Sequence, residues 1–113
     1  MKTIRYLTAV SFAALLTGCG SPVPVCSDEQ STDLVKEIAA REMSNQLGAA
    51  AAASFTYAVN AIRTTSTNEG TGAHECAAEL AVIGPGGTSP LPITYTIEQT
   101  DDGEQFYINV FGL

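Results

Sequence analysis

From Phe55 onward the chain alternates apolar and polar side chains in four separate runs, and this alternation constrains its fold more than any other feature. Phe55, Tyr57, Val59 and Ala61 alternate with Thr56, Ala58 and Asn60, which predicts a strand to about Thr65. Cys76, Ala78, Leu80 and Val82 alternate with Glu75, Ala77, Glu79 and Ala81. A third run sets Ile93, Tyr95 and Ile97 against Thr94, Thr96 and Glu98, and a fourth sets Phe106, Ile108 and Val110 against Tyr107, Asn109 and Phe111. Successive side chains of a strand point to opposite faces, so a period of two buries one face and leaves the other to water. Turn-forming residues separate the runs. Asn68–Gly72 reads as a turn or loop, Gly84–Pro90 as a loop, and Asp101-Asp102-Gly103 as a tight hairpin turn.

Before these runs the period is helical. Leu34, Val35, Ile38, Ala39, Met43 and Leu47 fall on one stripe, while Lys36, Glu37, Arg41 and Glu42 face away. Residues 27–33 supply the start. Ser31 or Thr32 is the expected cap, and acids gather where the helix dipole is positive. Glu37 and Arg41 form a favourable four-apart pair, and Gly48 is the expected stop. The five alanines of Ala49–Ala53 either resume the helix or make a small-residue strip where helix and sheet approach closely.

One helix followed by four closely connected strands predicts an α+β fold. The economical form has two layers, with the N-terminal helix across one face of a four-stranded antiparallel meander. This order resembles cystatin-like and related helix-on-sheet folds, and the resemblance implies a fold without transferring an activity. No cystatin-type inhibitory loop is visible. The hairpin from Ile93-Thr94-Tyr95-Thr96-Ile97 to Gly103, with Phe106–Val110, resembles one seen in small bacterial lipoproteins.

The N-terminus points the same way. Lys2 and Arg5 precede a short uncharged run, Leu7–Leu16, and then Leu16-Thr17-Gly18-Cys19. A charged start, a short apolar run and small residues at a cut make a secretory signal peptide. The run is about half the roughly 20 residues that a membrane-spanning helix needs. Leu16-Thr17-Gly18-Cys19 resembles the lipobox of bacterial lipoproteins, and the likeness covers residues 1–19. It implies cleavage before Cys19, a diacylglyceryl group on its sulfur, and anchoring in a bacterial cell envelope. Residue 20 is Gly. An Asp there would resemble an inner-membrane retention signal, so the outer membrane is favoured.

That resemblance orders the rest of the chain into a signal peptide at 1–18, a short tether at 19–30 and one domain at 31–113. It also orders the three cysteines. With Cys19 consumed by lipid, Cys26 and Cys76 remain as a pair in an oxidising compartment, where a disulfide is expected. Two free thiols and a metal pair are the alternatives, and two sulfurs with one His make a poor zinc site. A tether of seven residues, stiffened by Pro22 and Pro24, spans at most about 25 Å, so the domain is expected close to the membrane.

Charge and motifs narrow the function. With the leader gone, Lys36, Arg41 and Arg63 stand against all twelve acids, a net charge of about −9. Such a surface repels phosphates, so nucleic-acid binding is not expected. No enzyme is expected either. His74 is the only histidine, and neither Gly-x-Ser-x-Gly nor Cys-Gly-Ser-Cys occurs. Asp101, Asp102 and Glu104 lack the alternating ligands of a calcium loop. Gly84-Pro85-Gly86-Gly87 precedes a strand, with no Lys-Ser or Lys-Thr behind it, so it does not read as a phosphate loop. The expected cofactor list is empty apart from the covalent lipid on Cys19.

If Phe106, Ile108 and Val110 face the helix, then Tyr107, Asn109 and Phe111 share the other face with Thr94, Thr96 and Glu98. Exposed aromatics on a sheet make these three the candidate binding residues. The expected role is a membrane-anchored binding or accessory module that docks an envelope protein. The alternative is a protective lipoprotein, an inhibitor of basic hydrolases or a phage-exclusion factor, drawn by the acidic charge.

Overall fold

The computed structural model describes residues 23–113; the expected signal peptide at 1–18 and Cys19 lie outside them. In chain order come α1 (Glu29–Leu47), α2 (Ala49–Ala52), β1 (Thr56–Thr67), β2 (His74–Gly84), β3 (Gly87–Gln99) and β4 (Phe106–Phe111). The strands form one antiparallel sheet in the order β1-β2-β3-β4, with α1 packed across one face against β1 and β4. The expected helix on a four-stranded antiparallel meander is what the chain adopts.

The start of α1 differs from the sequence expectation. Asp28 caps the helix, its carboxylate accepting from the Gln30 N–H at 2.9 Å. Ser31 is fully buried instead, and its hydroxyl donates to the Val25 carbonyl at 2.9 Å. A buried hydroxyl must find a partner, and this one ties the incoming chain to the helix. The expected stripe is deepest early, at Ser31, Val35 and Ala39, and fades toward the C-terminus, where Leu47 is 51% exposed. The expected Glu37–Arg41 pair does not form; on α1 Lys36 pairs with Asp33 at 3.6 Å. Gly48 stops the helix with φ 87°, a conformation open to glycine, and the alanine run then makes the single turn of α2.

Within the sheet, alternation sorts the faces. Tyr57, Val59, Cys76, Ala78, Leu80, Ile93, Tyr95, Ile97 and Ile108 join Val35 and Ala39 in or against the core. The predicted phase of β1 fails at Ala61. Asn60 pairs with Glu79 but Arg63 with Ala77, so one extra residue bulges here. Ala61 has φ 54° and is exposed, while Ile62 turns to the core in its place. A second bulge lies between Thr64 and Ser66.

The predicted loop Gly84–Pro90 is also corrected. Gly84 pairs with Gly87, so the connection is the two-residue turn Pro85-Gly86, and Thr88, Ser89 and Pro90 already belong to β3. Pro90 looks like a loop residue because proline gives up a ladder hydrogen bond, and Pro92 follows it in the same strand. β4 ends at Phe111, opposite Thr94, so both prolines lie where β3 has a partner on one side only. The β3–β4 connection is longer than a primed two-residue turn. Asp102 organises it, its carboxylate accepting from the Thr100 hydroxyl at 2.6 Å and the Glu104 N–H at 3.0 Å. These hydrogen bonds, the Thr100 one first, hold the Asp102 carboxyl below its ordinary value.

Candidate functional site

The segment before the helix is held by four contacts. Cys26 is bonded to Cys76 of β2, with Cα atoms 5.8 Å apart. The Tyr95 hydroxyl, from β3, donates to the Cys26 carbonyl at 2.7 Å, and Ser31 holds Val25. Thr64 of β1 donates to the Cys26 sulfur at 3.3 Å. Tyr95, Cys26 and Cys76 are among the most deeply buried side chains. Val23 already belongs to the core cluster, so the packed structure includes residues 23–28 ahead of α1. Burial raises the pKa of the Tyr95 hydroxyl above the ordinary 10.0.

The face of the sheet away from α1 carries the sequence-predicted binding residues. Register places Tyr107 opposite Glu98, Asn109 opposite Thr96 and Phe111 opposite Thr94. On β2 the neighbours are Glu75 beside Thr96, Ala77 beside Thr94 and Glu79 beside Pro92. Tyr107 is 43% exposed and Phe111 56%, with Asn109 exposed between them. The Tyr107 hydroxyl donates to the Glu98 carboxylate at 2.5 Å, which fixes the ring across the β3–β4 pair and raises the tyrosine pKa. Glu75, Glu79 and Glu98 set a negative charge on this face, and Arg63 of β1, opposite Ala77, is its one cation among the described residues. Toward the hairpin end the face dips into a shallow polar concavity lined by Ser66, Glu75, Thr96, Glu98, Asp101 and Tyr107.

His74 lines the same concavity, and its Nδ1 lies 3.0 Å from the hydroxyl of Thr67, its cross-strand neighbour. Among the described residues no three His, Cys, Asp or Glu side chains converge as ion ligands, and no helix is long and apolar enough to cross a membrane. Sequence reasoning missed the two groups that lock residues 23–28 in place, Ser31 and Tyr95. Both looked like ordinary members of a cap and a strand. The signal available for Tyr95 was a polar tip on the inward phase of an apolar run, which requires a buried partner.

Compared with known proteins, the chain matches no family model, no curated protein and no solved structure.

Proposed function

We propose that the protein is a lipid-anchored module of a bacterial cell envelope, acylated on Cys19 after loss of residues 1–18. In this reading it docks an envelope partner on the open face around Tyr107, Asn109 and Phe111. The observation that carries the reading is the use of the cysteines. Two of the three are bonded to each other inside the fold, and the third is the one in Leu16-Thr17-Gly18-Cys19. A leftover sulfur in an exported chain calls for a fate, and the lipobox likeness supplies one.

The early packing of Val23 supports a close anchor. Three residues separate it from Cys19, so the hairpin end of the domain would sit within about 15 Å of the modified sulfur. Anchoring of this kind needs more than one acyl chain, which a diacylglyceryl group provides. The outer membrane remains the favoured site, on the Gly at position 20. The cystatin-like arrangement belongs to the same proposal, supported by the order of one helix and four consecutive antiparallel strands.

Mass spectrometry of the protein from its own membranes tests the anchor. The expected species starts at Cys19, carries added acyl mass and lacks two hydrogens at Cys26 and Cys76. An unacylated chain free in the aqueous fraction would overturn it. For the docking face, solubilised protein with Tyr107→Ala and Phe111→Ala should lose a specific envelope protein that the unaltered chain retains. Identical partner lists would remove that part of the reading.

A further inference from the structure

The sheet exposes three unpaired edges: β1, β4, and the part of β3 from Gly87 to Ile93 that outruns β4. A free edge offers rows of N–H and C=O groups to any other strand, and proteins blunt such edges with bulges, prolines or charge. Two of the three are blunted. β1 is bulged on both sides of Arg63, with Ala61 at φ 54°. The free stretch of β3 holds Pro90 and Pro92. β4 has none of these devices. It reads Phe-Tyr-Ile-Asn-Val-Phe, without charge, proline or glycine, and its register with β3 is unbroken from Phe106 to Phe111. Aromatic and β-branched residues are the ones that favour strand pairing. Among the described residues nothing pairs with its outer edge.

We propose that this edge pairs with the same edge of a second copy, antiparallel about a two-fold axis at Asn109, so that two sheets become one. A two-fold axis normal to the sheet keeps inner face beside inner face, so each residue meets one of its own parity. Centred on Asn109, the axis sets Tyr107 of each copy opposite Phe111 of the other on the open face. On the inner face Ile108 of each copy meets Val110 of the other. At the axis the two Asn109 amides meet, each with a donor and an acceptor for the other. An axis at Ile108 would instead set Tyr107 against Asn109 and leave Phe111 facing Gln105. The strand is thus self-complementary in one register, which is the argument for a second copy over an unrelated strand.

Charge permits the pairing. Antiparallel strands carry the acidic hairpins at Asp101–Glu104 to opposite ends, away from each other. The chains still repel as wholes, at −7 each, so salt should tighten the dimer through screening. The inference does not depend on the lipid, and it doubles the aromatic patch of the open face.

Cross-linking and mass test it on the full chain in detergent. At the axis two Cα atoms lie about 4.5–5.5 Å apart, within disulfide reach. Full-chain Asn109→Cys on a Cys19→Ser background should therefore run as a covalent dimer after mild oxidation, while Thr56→Cys on the same background, at the β1 edge, stays monomeric. Sedimentation of the unaltered chain should show a dimer with a dissociation constant below about 100 μM, tighter in higher salt. Tyr107→Lys should weaken it at least tenfold with its circular dichroism unchanged. A monomer at that concentration in high salt, or a dimer indifferent to Tyr107→Lys, would overturn the proposal. Cross-linking of Thr56→Cys equal to that of Asn109→Cys would do the same. Should Asn109→Cys mispair with Cys26 or Cys76, sedimentation of Tyr107→Lys still decides.

Discussion

Two tyrosines on the inner face show how a single hydroxyl changes sign with its surroundings. Tyr95 is fully buried and its hydroxyl donates to the Cys26 carbonyl at 2.7 Å. Removing it leaves that carbonyl unpaired, so Tyr95→Phe should cost about 1–3 kcal/mol. The Tyr57 hydroxyl is buried too, but has no hydrogen-bond partner. Tyr57 lines a small cavity with Met43, Leu80 and Val82, and although Glu42 and Gln46 line it too, neither hydrogen-bonds the hydroxyl. Tyr57→Phe should therefore be neutral or stabilising, by up to about 1 kcal/mol. Denaturant unfolding of the two variants against the unaltered chain reads the difference, and equal losses in both would refute the assignment of partners.

At the scale of elements, the disulfide holds more than any single helix contact. It joins residues 50 apart in sequence, and the loop it closes contains α1, α2 and β1. Chain entropy alone gives such a bond on the order of 3–4 kcal/mol. Replacing both Cys26 and Cys76 by Ser should lower the melting temperature by roughly 15–25 °C. A reductant should lower that of the unaltered chain similarly and leave the double variant where it is. Much of this architecture was legible beforehand. The switch from a helical period to a period of two placed the helix and all four strands, because those periods are how side chains reach one core. What escaped the reading were local departures from regularity. The bulge at Ala61 shifts the phase of β1 although Ala is no bulge signal, since φ 54° is more natural to Gly, Asn or Asp. Pro90 reads as loop because its tolerance in a strand depends on where β4 ends, which only tertiary pairing decides. The candidate face was legible in its membership, Tyr107, Asn109 and Phe111, because parity alone sorts β4. Its acidic border was not, since Glu75 and Glu79 reach it through the register of β2 with β3.

For the molecule as a whole, stability should be level near neutral pH and fall in alkali. Burial raises the pKa of Tyr95, and of Tyr57, above the ordinary 10.0. In the unfolded chain both lose protons near pH 10, before the folded protein does. The unfolded state then binds fewer protons, so stability contributed below that pH is lost as pH climbs through the folded values. Melting curves from pH 7 to 11 should break downward above about pH 10, and Tyr95→Phe should show a shallower break. A flat profile would mean that these hydroxyls reach water in the native state.

The bond between Cys26 and Cys76 also decides how the molecule would bear a pull on its N-terminal end. Tension entering through residues 23–25 meets Cys26 and crosses two sulfur atoms into β2, an inner strand flanked on both sides. Everything between the two cysteines, including both helices and β1, hangs as a slack side loop outside the load path. With the sulfurs parted, the same tug would peel the helix from its seat first. About 160 Å of chain would then pay out that the intact link keeps coiled.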